Sequence, residues 1–396
     1  MMNPVYATLI VLAIVAVGEL VSIFSRAKVP TLLVMMVLIF ALFKTGIVPM
    51  NIIEASTFTV VGTVLQPALL VHMGTLIPMK VMKSQYKAVL ITLLGLACSV
   101  LLMLLIVPLF FDYKTAVAGA GPMTGGIIAY IVTADALKKA GFAALVVIPI
   151  IVLTLHSVVG MPLTSFLLRR HAVKLQRTMD AGTFAAAAVA TVDGVQAHDT
   201  NAKSEKRNLI PEKFQQSSFI LLFMIFIGSA IAIYLQGLTG ISYSLWGLAI
   251  GIIGAFLGFY PEKVLEKANG FSIAMVGLVF LVLGSLSTVT IKAIVSVLPA
   301  VAVIIIVGSI GLILGGFIGS KLFKWDPNKG IAVVLTAMYG FPGDFLICQE
   351  VSRSMGRTKE EEEKILNEIL PSMLIGGFTS VTIGSVIIAS ILVKTL

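Results

Sequence analysis

An aspartate interrupts an apolar stretch in the run YGFPGDF, where Asp344 follows Gly340, Phe341, Pro342 and Gly343. A carboxylate at membrane depth costs a few kcal/mol or more, so it faces a polar cavity and holds Na⁺ or a coupling proton, or it caps a helix against a fixed internal partner. A second interruption reads GAGPMTGG and contains Gly121, Pro122, Met123, Thr124, Gly125 and Gly126. Glycine and proline at such points free main-chain amides and carbonyls to face a cavity. Thr124 and Thr133 can add hydroxyl ligands for an alkali cation, although small-residue packing explains many glycines and threonines in membrane helices. Asp135 and Glu350 stand beyond the two interruptions, three residues before Lys138 and Arg353. That spacing fits a local ion pair as well as a coupling carboxylate. The candidate substrate site is therefore Gly121–Gly126 with Gly340–Asp344. The candidate coupling-ion set is Asp344, Thr124, Thr133, Asp135 and Glu350.

Other chemistries find little to work with. His72 and His156 lie in apolar runs with no partner at metal-ligand spacing, so hydrogen-bonded packing is expected of them. Cys98 and Cys348 sit in apolar segments and imply neither a disulfide framework nor a metal site. Glu19 and Arg26 share one helical face seven residues apart, which predicts a structural pair near a membrane boundary. The sequence carries no Walker motif, Ser–His–Asp arrangement or metal cluster. Neither an enzyme nor a cofactor other than a coupling Na⁺ or H⁺ is expected.

The elements that must position these residues are membrane helices. Hydrophobic residues make up 58% of the 396 and charged residues only 12%, with a mean hydropathy of +1.05. A soluble domain of this size needs far more polar surface. Strongly apolar segments fall near 5–24, 31–48, 58–78, 88–111 and 143–168, then near 217–237, 243–260, 269–290, 294–320 and 370–393. They are too long and too unalternating for barrel strands, so an all-α polytopic membrane protein is expected. The first segment has no basic region before it and no cleavage site after it, and is read as a retained helix. Segments 115–139 and 330–353 carry the two Gly/Pro clusters at their middles. A continuous helix would lose roughly 1 kcal/mol for each Gly and 3 for each Pro there. Both read as re-entrant hairpins or broken helices lining a cavity.

Basic residues sort the topology. With the N-terminus outside and each hairpin returning to its own side, 22 of the 28 Lys and Arg fall on the cytoplasmic side. The net charge of +9 is thus explained without nucleic acid. This predicts a multi-pass protein of the cell inner membrane, with both termini outside and lipid around it. Residues 169–216 form the cytoplasmic linker in this scheme, and 357–369 a short cytoplasmic helix with Thr358 as N-cap and Glu361 completing a capping box.

The two halves match each other. LVHMGTLIP resembles FLVLGSLST, aligning Gly74 with Gly284, and a linker bearing Asp112 or Asp326 precedes each broken segment. A shift of 215 residues lays Gly125 on Gly340, Asp135 on Glu350, Lys138 on Arg353 and Gly141 on Gly356. Five spans plus one hairpin per half predicts two inverted repeats, 1–168 and 217–396. Matched broken helices in inverted repeats are the sequence pointer to a transporter's central site.

The segments GAGPMTGGIIAYIVTADALKKAG and TAMYGFPGDFLICQEVSRSMG, set in this repeat, resemble the glutamate:sodium symporter family. The resemblance implies an elevator-type, Na⁺-coupled importer of a dicarboxylate, with the two hairpin tips, Gly121–Gly126 and Gly340–Asp344, holding substrate. The chain departs from the family pattern in having Gly-Pro-Met-Thr-Gly-Gly in place of a Gly-His-Gly-like element, and Asp344 in place of a small residue. An extra carboxylate repels a dianion unless a cation or proton neutralises it. The combined expectation is a cation-coupled secondary transporter of a small carboxylate or amino acid, acting as a homodimer. A Na⁺/H⁺-type antiporter and an uncoupled channel or export component are the alternatives.

Overall fold

The structure is a computed structural model that describes residues 2–76, 85–181, 211–284 and 291–396. Its elements are all helical, and no strand occurs among the described residues. Fifteen helices of eight residues or more follow one another. They are α1 Pro4–Phe24, α2 Thr31–Thr45, α3 Phe58–Thr75, α4 Tyr86–Ile106, α5 Tyr113–Met123, α6 Ile127–Lys139 and α7 Val147–Asp180 in the first half. The second half has α8 Ser218–Thr239, α9 Tyr243–Phe256, α10 Phe271–Gly284, α11 Ile291–Leu322, α12 Pro327–Leu335, α13 Gly343–Met355, α14 Lys359–Phe378 and α15 Ser385–Leu392.

Seven described helical stretches are long and apolar enough to cross a membrane. The chain is a multi-pass membrane protein. The spans begin and end where local chemistry dictates. Asn3 caps α1, its side chain accepting from the Val5 N–H at 2.9 Å, and Pro4 fills the first position, where no N–H is needed. Gly46 and Gly240 end α2 and α8 in the left-handed conformation. Two of the ten expected spans are short: α2 and α9 have 15 and 14 residues, roughly 21–22 Å of helix. Pro30 and Gly46 bound the first of these, and Ser242 caps the second.

Two helices overrun their expected limits. Helix α7 continues to Asp180, past residue 168, because RRHAVKLQRTMD is made mostly of good helix formers. The remainder of the expected linker, 182–210, lies outside the described residues, as do Lys80 and Lys83. Helix α14 runs unbroken from the charged segment into the last apolar stretch. Thr358 caps it as expected, accepting from the Glu361 N–H at 3.2 Å. The Glu361 carboxylate accepts from the Arg357 N–H and guanidinium.

Contacts divide the chain into two compact units that differ from its sequence halves. One comprises Met1–Thr57, Lys87–Ala172 and Val282–Leu396, the other Phe58–Tyr86 and Val173–Leu281. In the second, α3 crosses α9 and α10 through glycines. A side chain on Gly74 or Gly251 would strike the opposing backbone, and a Cβ on Gly277 would stand 2.8 Å from Gly62 Cα. Such small-residue crossings are a common way for helices to associate in lipid. His72 is buried in this unit, accepts from the Leu265 N–H at 3.2 Å and stacks near Phe271. The packing role expected of it is what the structure gives.

Candidate functional site

Both broken segments lie in the first unit and are built alike. Asp112 starts α5 by accepting from the Thr115 N–H at 2.6 Å, and Asp326 starts α12 by accepting from Asn328 and Lys329. The first helix ends at Met123. Thr124, Gly125 and Gly126 then turn the chain, with φ of +99° and +87° at the two glycines. Only glycine holds such values without strain. The second break runs from a 3-10 turn at Thr336–Met338 through Tyr339, Gly340 at φ +59° and a cis Phe341–Pro342 peptide into α13.

The fold brings the two breaks together. A Cβ on Gly125 would stand 2.5 Å from the Ala337 carbonyl oxygen and 3.2 Å from Val381 Cγ2. A Cβ on Gly340 would meet the same Val381 methyl at 3.0 Å, and one on Gly126 would stand 3.1 Å from Ser385 Oγ. Val381 belongs to a π-helical turn, Thr379–Gly384, between α14 and α15. Such wide turns inside α-helices are frequent at functional sites. Met123 packs against Gly308 of α11, and Phe341 faces Phe378 with ring centroids 6.1 Å apart.

Asp344 is the charged member of this junction. It sits in the first turn of α13, fully buried, where the helix dipole favours an anion. Its Oδ1 accepts from the Phe345 N–H at 2.7 Å, while Oδ2 has no hydrogen-bond partner. That orphaned oxygen points at α14: a Cβ on Gly377 would stand 2.5 Å from it and 3.6 Å from Thr336 Cβ. Tyr339 is within electrostatic reach of the carboxylate, and its hydroxyl lies beside Thr164 of α7 without a well-formed bond to it. Ser372 Oγ, on α14, is likewise buried without a partner. A buried carboxylate oxygen without a partner is a hard ligand suited to an alkali cation or a proton.

The remaining candidates separate. Thr124 and Thr133 are buried at the first break, with their hydroxyls spent on the Gly121 and Ala129 carbonyls at 2.6 and 2.8 Å. Thr133 Oγ1 also crowds Gly121 from the facing helix. Asp135 is exposed on the far part of α6, and no ion pair to Lys138 forms among the described residues. Glu350 has internal partners. It accepts from the Ser22 hydroxyl at 2.7 Å and from the Thr31 N–H at 3.1 and 3.2 Å, and so caps the N-terminus of α2. Arg353 pairs with Glu19 at 2.7 Å rather than with Glu350, which replaces the Glu19–Arg26 pair expected from sequence. The helix geometry explains this, since Arg26 lies beyond the end of α1 with φ +53°.

Thr164, Thr336, Tyr339, Gly377 and Val381 stand at the breaks or beside Asp344 and were not singled out from the sequence. The run SMLIGGFTS, with paired glycines among hydroxyl residues, was the one available signal. A further cluster stands at the start of α12. His171 Nδ1 is 3.3 Å from Asp326 and its Nε2 is 3.7 Å from Glu368, which also pairs with Lys329 at 2.7 Å. No protein-family model matches the chain, and no curated protein matches it.

Proposed function

We propose that this chain is a cation-coupled secondary active transporter of a small carboxylate or amino acid, with Asp344 as the residue that holds the coupling Na⁺ or proton. The observation that carries the reading is the buried, unpartnered Asp344 Oδ2 beside the meeting point of two helix breaks. An anion of that kind is stable only when a cation or proton joins it. The broken helices add main-chain groups at the same place, and amides at helix starts favour an anionic substrate group.

On this reading segments 115–139 and 330–353 are re-entrant hairpins, and 1–168 and 217–396 are inverted repeats. Three paired features favour duplication: aspartate N-caps at 112 and 326, left-handed glycines at 125 and 340, and a helix beyond each break. Elevator-type alternating access, a homodimer and an inner-membrane location with both termini outside complete the proposal, the last from the lysine and arginine distribution.

The test is thermal stability of the purified protein in Na⁺ against K⁺ at equal ionic strength, with a panel of dicarboxylates and amino acids. A ligand at a hundred times its dissociation constant stabilises by about 2.7 kcal/mol. A Na⁺ shift enlarged by one solute and absent from Asp344→Asn is the expected result. A pH dependence with no Na⁺ effect moves the assignment to proton coupling, and a Na⁺ shift kept by Asp344→Asn removes Asp344 from the site.

A further inference from the structure

The carboxylates beside Ser22, Arg353 and His171 are already engaged. Glu19 pairs with Arg353, Glu350 caps α2, and Asp326 and Glu368 face His171 and Lys329. Arg26 and Lys28, just beyond α1, and Arg169 and Arg170, within α7, have no acidic partner among the described residues. Arg169 has only a hydroxyl, that of Ser354 at 3.1 Å, and Arg170 lies over the Phe166 ring at 4.4 Å.

The backbone brings two of these residues, Arg26 and Arg169, to neighbouring places. The chain leaves α1 through Arg26 and Ala27, both in the left-handed region with φ of +53° and +55°. The Ala27 N–H returns to the Ser22 carbonyl at 2.8 Å, and the Ala27 carbonyl accepts from the Ser165 hydroxyl of α7. Arg169 is one helical turn beyond Ser165, on the same face. Arg26 and Arg169 are therefore close enough to repel each other. Like charges held together without a counterion fit an anion with several oxygens, which two guanidiniums can clasp by charge-assisted bonds. Exposed apolar rings adjoin them: Phe24 is 82% exposed and Phe166 50%. Phosphate chemistry beside an apolar surface is that of a phospholipid headgroup with its acyl chain alongside.

We propose that Arg26 and Arg169, supported by Lys28 and Arg170, bind the phosphate of an anionic phospholipid at this end of the first unit. The site is separate from Asp344 and stands whether or not the chain is a transporter.

The experiment is lipid titration of the purified protein in neutral detergent, read by native mass spectrometry and by melting temperature. Phosphatidylglycerol, phosphatidylcholine and inorganic phosphate are compared at equal concentration. Wild type is expected to retain phosphatidylglycerol and melt higher with it, with little response to the other two. Arg26→Gln, at an exposed residue without a partner, should weaken retention about fivefold, and Arg26→Gln with Arg169→Gln still further. If the double variant folds poorly, the single variant alone decides. Undiminished retention by Arg26→Gln overturns the site, and equal stabilisation by inorganic phosphate overturns the lipid as its ligand.

Discussion

The two broken segments share a plan and differ in where their charge lies. In the first, the turn is built from Thr124, Gly125 and Gly126, its hydroxyls are spent on local carbonyls, and its carboxylate, Asp135, is exposed on the far arm. In the second, the turn delivers Asp344 into a buried setting with one oxygen unpartnered, and the far arm's Glu350 is buried and bonded to α1 and α2. Positions that a 215-residue shift makes equivalent thus do different things. The first break offers backbone, and the second offers backbone plus a charge and an anchor. The shared plan lies in the turns, and the difference lies in single residues: only the second break brings a buried carboxylate with it.

The largest expected contrast is between the matched acids. Glu350→Ala leaves the Thr31 N–H and the Ser22 hydroxyl buried without an acceptor and should destabilise by roughly 2–4 kcal/mol. Asp135→Ala, at an exposed position, should stay within about 0.5 kcal/mol. Denaturant titration in detergent measures both, and similar losses at the two positions would erase the distinction between anchored and free arms.

Next are the two left-handed glycines. Gly125→Ala adds the left-handed penalty of about 1–2 kcal/mol to a clash with the Ala337 backbone, which cannot swing aside. Gly340→Ala meets only the Val381 side chain at 3.0 Å, so its cost should stay near the backbone penalty alone. A melting-temperature comparison should rank Gly125→Ala as the worse; the reverse order would mean that the breaks do not pack as described.

The smallest effect concerns the aspartate caps. The hydrogen bond from Thr115 holds the Asp112 carboxyl below its ordinary range, against some opposing desolvation. Its contribution is present above the unfolded carboxylate's titration and is lost as pH falls through the lowered folded value. Asp112→Asn keeps an acceptor for the cap, and its stability should respond less to acidification than wild type does between neutral pH and the carboxylate range. An unchanged acid profile in that variant would remove Asp112 from the account.

Much of this was legible because it rests on local chemistry. The apolar runs gave the long helices, and Gly125, Gly126, Gly340 and Pro342 marked the breaks because few other residues allow them. Asp344 stood out as an acid in an apolar run. The company it keeps was not legible. Gly377, against its unpartnered oxygen, comes from α14, and Val381, against both breaks, comes from the π turn; nothing in an apolar span tells which residue faces a partner far away in sequence. The Glu350 anchor was hidden for the same reason, since local spacing pointed to Arg353 while the actual partners are more than 300 residues away. Helix ends such as Asp180 were misjudged because hydropathy marks lipid contact, not helix length.

The central claim is that Asp344 couples a cation to solute movement. Its most direct test is uptake into proteoliposomes under an imposed Na⁺ or proton gradient, comparing wild type with Asp344→Asn reconstituted to equal density. The account predicts that wild type accumulates a small carboxylate or amino acid against its gradient, and that Asp344→Asn at most equilibrates it. Equal accumulation by the variant would contradict the account.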